Sequence, residues 1–395
     1  MSSKVVAKVS LSDLQGPDVP PVASITDVKY LSSYNWIESP KPTIAVPGSP
    51  PLWAAPKLPQ RVNKDSGLIY IAQNAARHPD SPLEPLFRAI YVTDPSFDIR
   101  PIDIVTDRNN IRKLLSFVDP TVARNGLEEF TINIEVTKNT AIFSRDETET
   151  QDIIGPNEFK GFGHEFEKAC TINKIVGSTG HHRIISYRFG GLNVIVRHET
   201  DGYVGATAGP SSSARKAQSP SDLTSVFDSL SLSPTNTNLG TTTKGSKLIV
   251  QRDGQAVPLS STLEIKTRVS HKPLEIREVA AQIWVSQTPK LVRAYHQRGV
   301  FKVPTVEDIT PQIKKWEQDK QVHLRKLALL MRRIVNVVKN CRESVTLRYD
   351  RRENKLILTE VPRKKMLPQD LYLKWDDASY TRTAAGAGVK QEVKA

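Results

Sequence analysis

Cysteine is scarce in this chain of 395 residues, which contains only Cys170 and Cys341. Two thiols are too few for a disulfide framework or for a metal site built from several thiolates. Their scarcity favours a reducing compartment, because disulfide-dense scaffolds occur in oxidising ones. A chain of this length can bury a substantial core without such cross-links.

Long apolar runs are also lacking. No uninterrupted hydrophobic stretch is long enough to cross a bilayer. The first residues, MSSKVVAKVSLSDLQGPD, lack the apolar segment of a secretory signal peptide. We therefore expect a protein of the nucleus or the cytoplasm, or of both, with no membrane partner.

Acidic residues are outnumbered, with 42 Asp and Glu against 55 Lys and Arg and a formal net charge of +13. A field of this sign attracts phosphate-bearing ligands and favours a polyanionic partner such as a nucleic acid. Part of the excess lies in scattered segments such as Arg363-Lys364-Lys365, so a basic tail on a neutral domain stays an alternative. The 38% of hydrophobic residues is ordinary for a globular protein.

Prolines and polar residues divide the chain into segments. Residues 1–60 contain many prolines and predict an extended segment without regular structure, laid over a domain and held in place by Trp36 and Trp53. Residues 61–377 predict a single domain, and residues 378–395 predict a flexible C-terminal tail.

Residues 205–247 interrupt this domain. They are rich in Ser, Thr, Gly, Pro and Asn, and they offer little apolar area to offset the entropy of ordering. We therefore predict a disordered insertion. The stretch LTSVFDSLSL inside it has apolar residues at helical spacing, which is typical either of a transient helix without function or of a short partner-binding helix.

The periodicity of the remaining sequence predicts an α+β fold, with a mixed β-sheet flanked by helices. Three pairs of strand-like segments predict hairpins: FTINIEV with TAIFSR, HRIISYRF with LNVIVRHETD, and SVTLRYD with NKLILTE. KLVRAYH predicts a further strand. Helical spacing appears in residues 81–115, 273–287 and 311–340.

Two of the predicted strands carry charged residues in otherwise apolar runs. In TLEIKTR the period of two places Glu264 and Lys266 on one face. In LNVIVRHETD the same rule places Glu199 and Asp201 opposite the apolar residues. Burying unpaired carboxylates is costly unless a cation compensates them. Oxygen ligands of this kind suit Mg²⁺ or Mn²⁺.

Lys266 has a chemical role beside such ions. An ammonium there can orient and help deprotonate an attacking water, and it can balance the negative charge of a phosphoryl transition state. An acidic residue followed by Glu-x-Lys on a neighbouring strand is the signature of the PD-(D/E)xK nuclease fold. On its own, Glu-x-Lys on a strand is more often a salt bridge on a solvated face.

Other segments supply groups of the same chemistry. GHEFE, residues 163–167, adds the carboxylate of Glu167. VAAQIWVSQTP contains Gln282, whose amide can hold a substrate or a metal-bound water without adding charge. Arg108 and Arg112, in DIVTDRNNIRKLL, are cations suited to a phosphate or a carboxylate.

Taken in order, these motifs resemble those of the eukaryotic decapping exoribonuclease family, the DXO-type enzymes, over residues 65–360. That family has an Arg after Val-Thr-x, then Gly-x-x-apolar-Glu, Glu-x-Asp, Glu-x-Lys and a Gln upstream of a Pro. The matching residues are Arg108, Glu167, Glu199, Asp201, Glu264, Lys266 and Gln282, the last followed by Pro289.

The resemblance implies a PD-(D/E)xK nuclease-like domain that binds two Mg²⁺ or Mn²⁺ ions. Its substrates would be RNA 5′ ends, capped or triphosphorylated, from which it removes the cap by pyrophosphohydrolase or phosphodiesterase chemistry, with 5′-3′ degradation of the exposed RNA. The implied catalytic residues are Lys266, Glu264, Asp201 and Gln282. The implied substrate-binding residues are Arg108, Glu199 and Gln282, and the implied metal ligands are Glu167, Glu199, Asp201 and Glu264.

The chain departs from the family pattern in three places. Asp107 stands where the family has an aromatic residue, Thr288 stands where it has an apolar one, and the insertion after Asp201 is long. The alternatives are a DNA nuclease of the same fold and a non-catalytic scaffold or activator of a nuclear 5′-3′ exoribonuclease, a role that some family members have. The intact ligand set favours an enzyme, because a scaffold does not need four buried carboxylates.

Overall fold

The computed structural model describes residues 3–123, 126–205, 240–242 and 245–376. Within these residues the chain forms 22 strands and eight α-helices. Among the described helices, none combines the length and the apolar composition that crossing a bilayer requires.

The strands follow one another from the first described residues to the C-terminal region. In chain order they are β1 (Lys4–Val9), β2 (Thr26–Ile37), β3 (Thr43–Pro47), β4 (Leu52–Trp53), β5 (Gln60–Arg61), β6 (Gly67–Tyr70), β7 (Ile104–Asp107), β8 (Thr131–Thr137), β9 (Thr140–Asp146), β10 (Gln151–Ile154), β11 (Thr171–Ile172), β12 (Ser178–Phe189), β13 (Leu192–Glu199), β14 (Gly202–Tyr203), β15 (Thr241–Thr242), β16 (Ile249–Asp253), β17 (Thr262–Val269), β18 (Lys290–Gln297), β19 (Val300–Phe301), β20 (Val306–Asp308), β21 (Ser344–Asp350) and β22 (Lys355–Val361).

The helices fall between groups of strands. They are α1 (Gln73–Arg77), α2 (Glu84–Thr93), α3 (Arg108–Val118), α4 (Gly163–Cys170), α5 (Ala280–Ser286), α6 (Thr310–Asp319), α7 (Gln321–Lys339) and α8 (Gln369–Tyr372).

Two sheets organise the fold. The large sheet has twelve strands in the order β1-β22-β21-β8-β9-β7-β13-β12-β2-β3-β16-β15. It is mixed, because β7 runs parallel to both β9 and β13 whereas most other neighbours are antiparallel. The second sheet has eight strands, in the order β11-β4-β14-β17-β18-β19-β5 with β20 paired to β18. Strands β6 and β10 form a separate two-stranded ribbon. The predicted α+β fold with mixed sheets flanked by helices is confirmed.

Helices cover the apolar faces of the large sheet. One core cluster combines strand residues with Leu114 of α3, Trp284 of α5 and Leu330 of α7. Another contains Phe87 of α2 and Trp375 near the end of the described chain. The second sheet has its own cluster. Burial of these side chains is the main favourable contribution to folding.

The three predicted hairpins are present. Strands β8 and β9, β12 and β13, and β21 and β22 pair antiparallel. The β12–β13 turn needs glycine for two reasons. Gly190 and Gly191 both have positive φ angles, and a Cβ added to Gly190 would lie 2.5 Å from the Cβ of Ala328 on α7.

The prediction that residues 1–60 form an extended segment without regular structure is wrong. Strands β1, β2 and β3 belong to the large sheet, and β2 lies between β12 and β3. Tyr34 and Trp36 are fully buried in its core. Prolines do not prevent this, because Pro42 precedes β3 and Pro47 ends it, so neither interrupts a strand interior.

The predicted helix over residues 81–115 is also corrected. Helices α2 and α3 are separated by strand β7, which contains the Val-Thr-x part of the Arg108 motif. The buried β-branched residues Ile104 and Val105 suit a strand with neighbours on both sides. Arg108 is therefore the first residue of a helix that directly follows a buried strand.

Two other helices differ in length from the predictions. Residues 273–287 contain only a short 3₁₀ turn and α5, and the predicted helix over residues 311–340 is divided into α6 and α7 at Lys320. Most of the predicted insertion over residues 205–247, including LTSVFDSLSL, lies outside the described residues, and so does the predicted tail over residues 378–395.

Candidate active site

The candidate site lies where the chain passes from the large sheet to the second sheet. Strand β13 ends at Glu199, and Asp201 immediately precedes β14, which pairs with β17. The Glu-x-Lys signature predicts that the strand of Glu199 and the strand of Glu264 are neighbours in one sheet. This prediction is wrong, because β13 and β17 belong to different sheets. Strand β13 pairs with β12 and β7, whereas β17 pairs with β14 and β18. The short crossing between the sheets brings the two pairs together.

Glu264 is the buried centre of this site, with a side chain only 2% exposed. The Lys266 Nζ lies 2.5 Å from its Oε1, and the Gln282 Nε2 donates a hydrogen bond to the same oxygen. The Arg108 Nη1 lies 3.4 Å from the other oxygen, Oε2. Burial alone would raise the pKa of Glu264, but the charges of Lys266 and Arg108 outweigh it and hold the pKa at about 2. Glu264 therefore stays ionised.

Glu167, Glu199 and Asp201 form what we call the acidic side of the site. Burial, followed by repulsion from Asp201, raises the pKa of Glu167 well above its usual value. Burial and the charge of Glu264 raise the pKa of Asp201 to about 7, although its Oδ2 accepts a hydrogen bond from the backbone N–H of Ile265 at 2.8 Å. The acidic side thus holds more negative charge than its surroundings compensate.

Glu199 has the most exposed side chain of these carboxylates. Its pKa is nevertheless raised, because the surrounding protein displaces water from the carboxyl group and Glu264 repels its charge, while Arg108 opposes the rise. Glu199 therefore lies on the solvent side of the site and still responds to the buried charges.

Glu167 lies on helix α4, which packs against the second sheet. Its neighbour Phe166 is fully buried, with its ring centroid 4.4 Å from that of Phe301. Asp65 accepts hydrogen bonds from the first N–H groups of the helix, at 2.9 Å from Gly163 and 3.0 Å from Glu165. These contacts satisfy orphan donors and fix the start of the helix. No local sequence pattern indicates this role of Asp65, because Asp65 and Gly163 are 98 residues apart along the chain.

The departure at Asp107 has a structural explanation. Arg197 of β13 binds it with two hydrogen bonds, from Nε to Oδ1 at 2.6 Å and from Nη2 to Oδ2 at 2.9 Å. Arg197 is 1% exposed and also donates to the Pro82 carbonyl at 2.8 Å. Asp107 is therefore part of a buried ion pair, and both of its carboxylate oxygens are occupied by Arg197.

We call Arg108, Arg112 and Arg145 the basic side of the site. Arg112 lies one helical turn after Arg108 on α3, so both are on one face of the helix. Arg145 pairs with Glu147 at 3.1 Å, and Lys113 pairs with the same carboxylate at 2.8 Å. Arg112 has neither a hydrogen bond nor an ion pair from its guanidinium to any described residue. Burial and repulsion by Arg108 lower the pKa of Arg112.

His198 was not singled out by sequence. It is 3% exposed, and its Nδ1 lies 3.2 Å from the backbone oxygen of Glu199. Burial, reinforced by the charge of Arg108, lowers the pKa of His198 to about 3, so the imidazole is neutral. No sequence pattern distinguishes this histidine from an ordinary core histidine.

The donor set fits a divalent cation by its chemistry. In the described parts of the chain, no three Asp, Glu, His or Cys side chains form a closed metal-ligand cluster. Glu264 is instead bonded to Lys266, Arg108 and Gln282. The raised pKa values of the acidic side nevertheless mark negative charge that a cation would neutralise, and carboxylate oxygens are the ligands that Mg²⁺ and Mn²⁺ prefer. Metal ligation by Glu167, Glu199, Asp201 and Glu264 stays a prediction.

Comparison with protein families gives one match. Residues 3–374 match the family described as "Domain of unknown function (DUF8563)". No curated protein matches the sequence.

Comparison with solved structures finds Rai1 proteins from several fungi. S. pombe Rai1 has a TM-score of 0.53 and 15% identity, and the match covers 90% of this chain and 99% of that one. Candida albicans Rai1 in complex with pU5 and Mn²⁺ gives 0.56 and 13%, covering 93% and 99%. Scheffersomyces stipitis Rai1 in complex with (3′-NADP)⁺ and a calcium ion gives 0.57 and 12%, covering 95% and 97%.

These matches extend over nearly the whole of each chain, and they show a shared fold. Rai1 proteins belong to the decapping exoribonuclease family that the sequence motifs resemble. The resemblance is therefore confirmed at the level of the fold.

Proposed function

This chain belongs to the DUF8563 family, and from the fold that it shares with Rai1 proteins and from the geometry of the site we propose that it is a metal-dependent hydrolase of RNA 5′ ends. The proposed reaction is removal of a 5′ cap or triphosphate by pyrophosphohydrolase or phosphodiesterase chemistry, followed by 5′-3′ degradation, in RNA 5′-end quality control. One observation carries the proposal. A buried, ionised Glu264 is bonded to Lys266, Gln282 and Arg108 beside three carboxylates with raised pKa values.

Two Mg²⁺ or Mn²⁺ ions, held by Glu167, Glu199, Asp201 and Glu264, would polarise the scissile phosphate and make a bound water more acidic. The chain's own residues supply the remaining charge. Burial disfavours the charged form of Lys266, but the negative charges of Glu264 and Asp201 outweigh it and raise the pKa of Lys266. In the metal-free protein Lys266 is therefore an ammonium. The Lys266 amino group is placed to stabilise negative charge that develops on the phosphoryl oxygens and to orient the attacking water.

Gln282 and Arg108 position other groups. The Gln282 amide orients Glu264 through its N–H, and its oxygen can accept a hydrogen bond from a water. The Arg108 contact with Glu264 uses one N–H at 3.4 Å, and the other guanidinium donors can bind a phosphate. Both residues bring substrate and nucleophile to the ionised centre of the site.

The test is hydrolysis by the purified full-length protein of three RNAs of one sequence, with a 5′-triphosphate, a methylguanosine cap or an NAD cap. We expect release of the 5′ group from at least one RNA with Mn²⁺ and none with EDTA. Equal cleavage of 5′-phosphorylated DNA would favour the DNA nuclease alternative. No metal-dependent cleavage of any substrate would contradict the proposal and favour the scaffold, which should then bind a nuclear 5′-3′ exoribonuclease.

We also propose that residues 61–377, together with the strands β1, β2 and β3 that complete their large sheet, form the catalytic domain, and that the protein acts in the nucleus or the cytoplasm. The charge excess of the chain supports an RNA partner. Imaging of a fluorescent fusion tests the compartment, and a signal confined to mitochondria or to the secretory pathway would contradict it.

A further inference from the structure

Arg112 is a charged residue that no part of the proposed reaction uses. Its side chain is half-buried on α3, one turn after Arg108. It forms no hydrogen bond or ion pair with any residue of the described ranges. Its guanidinium nitrogens are nevertheless not sealed inside the protein, and each of them is accessible to solvent.

The neighbours of Arg112 leave its charge uncompensated. The charges that act on it are those of Arg108 and Arg145, which repel it, and of Glu264, which attracts it. Glu264 is already bonded to Lys266, and Glu147 is shared by Arg145 and Lys113. A half-buried guanidinium that two others repel is unfavourable unless an anion binds there, so this arrangement is that of an anion site.

The direction of this site follows from helix geometry. Side chains four residues apart on a helix are about 5–6 Å apart at Cβ, so an anion at Arg112 would lie next to a phosphate at Arg108. Arg145 of β9 adds a third guanidinium, close enough to Arg112 to repel its charge. The basic side is therefore a cluster of guanidinium groups next to the proposed reaction centre, where Arg108 contacts Glu264.

We propose that Arg112 binds a backbone phosphate of the substrate next to the phosphate being attacked, so that the site takes a polynucleotide strand in preference to a single nucleotide. This inference rests on the proposed function, because it assumes that the reacting phosphate lies at Glu264 and Arg108. Arg112 touches no reacting atom and acts by binding the strand.

The test compares ligands of different length. Fluorescence anisotropy with Ca²⁺ measures binding of a 5′-phosphorylated RNA decamer, and competition measures binding of a nucleoside 5′-monophosphate and a nucleoside 5′-triphosphate. We expect Arg112→Gln to weaken decamer binding by about tenfold, the size of one charge-assisted contact, and to leave both mononucleotides within about twofold. The slope of log Kd against log salt should fall by about 0.7, the value for one phosphate contact on a single strand.

The matched control is Lys113→Gln, which removes the same charge one residue further along α3. The Lys113 ammonium is paired with Glu147, which keeps Arg145 as a partner in the variant. We expect Lys113→Gln to leave binding and the salt slope nearly unchanged and Arg112→Lys to recover part of the affinity. In turnover assays, Arg112→Gln should raise KM for long RNA and leave kcat nearly unchanged.

Two outcomes would overturn the inference alone. Equal effects of Arg112→Gln and Lys113→Gln would mean that only net charge matters. An equal loss for the nucleoside triphosphate would place the terminal phosphates, and not the backbone, at Arg112. If the unaltered protein bound no RNA and cleaved none, the proposed function would fail as well, which separates the two failures.

Discussion

The acidic side and the basic side of the site differ in how far their charges are paired. On the acidic side, Glu167, Glu199 and Asp201 have no ion pair with any described residue, and their pKa values are raised. On the basic side, Arg108 and Arg145 contact carboxylates, whereas Arg112 contacts none within the described ranges. Glu264 joins the two sides. A phosphate ester carrying divalent cations would satisfy both, because the cations would neutralise the carboxylates and the phosphate would neutralise the guanidinium groups.

These residues are not arranged for the stability of the free protein. Uncompensated charge in a partly buried site reduces the free energy of unfolding. Glu264 is the exception, because it is paired. Substitutions on the acidic side and at Glu264 should therefore agree in their effect on activity and differ in their effect on stability.

The largest expected effect is on catalysis. Glu264→Gln and Asp201→Asn each keep shape and remove one charge, and each should slow metal-dependent RNA hydrolysis by at least about a thousandfold through lost transition-state stabilisation. The double variant should lose little beyond the slower single variant, since residues that act as a unit are not additive. Single-turnover rates with Mn²⁺ measure this.

The control for these rates is Glu353→Gln, which removes a surface carboxylate paired with Lys8. Its rate should be unchanged. Metal-dependent hydrolysis that survives both Glu264→Gln and Asp201→Asn would show that the reaction centre lies elsewhere.

The next largest effect is on the stability of the folded protein, which Glu264→Gln should lower and Asp201→Asn should raise. Glu264→Gln leaves Lys266 and Arg108 without their buried partner and should cost on the order of 3 kcal/mol. Asp201→Asn removes a repelled charge and should raise the melting temperature of the metal-free protein at neutral and alkaline pH. Thermal unfolding in EDTA compares the two. A decrease of the melting temperature in both variants would contradict the charge imbalance of the acidic side.

A smaller effect links Asp201 to pH. Its pKa is raised from 3.8 to about 7 in the folded protein, so between these values the folded state binds more protons than the unfolded state. The free energy of unfolding should therefore fall as pH rises through this window and level off above it. The charged groups near Asp201 are the same in the unaltered protein and in Asp201→Asn: the carboxylates of Glu167, Glu199 and Glu264 and the Lys266 ammonium.

Denaturant unfolding in EDTA at acidic, neutral and alkaline pH measures this link. The stability difference between Asp201→Asn and the unaltered protein should grow in favour of the variant as pH rises. A constant difference would mean that Asp201 titrates as an ordinary exposed aspartate.

The smallest effect concerns the helix that carries Glu167. Asp65→Ala removes the two cap hydrogen bonds of α4 and should cost about 1 kcal/mol. Because Glu167 would be held less firmly, the Mn²⁺ concentration for half-maximal activity should rise while the maximal rate is largely kept. Asp65→Asn keeps one of the two acceptor oxygens and should therefore have a smaller effect than Asp65→Ala on both stability and Mn²⁺ dependence. An unchanged Mn²⁺ dependence in Asp65→Ala would exclude a positioning role.

Several features were determined by the sequence alone. The alternation in TLEIKTR predicted that Glu264 and Lys266 share a face, and the Lys266 Nζ is 2.5 Å from the Glu264 Oε1. The hairpins at Lys138-Asn139 and Gly190-Gly191 were predicted as well. These features depend on the period of a strand and on turn chemistry, which involve residues close together in the chain.

Other features were decided by tertiary structure. Residues 104–107 form a strand because β9 and β13 flank them, and β2 is an inner strand because it pairs with β12. Likewise, Glu147 lies on a different segment and pairs with Lys113 but not with the adjacent Arg112, which has no ion pair among the described residues. Local patterns cannot specify which distant segment approaches, since that depends on the packing of the whole chain. The sequence thus supplied the charged groups of the site, and the fold decided which of them would be left without a partner.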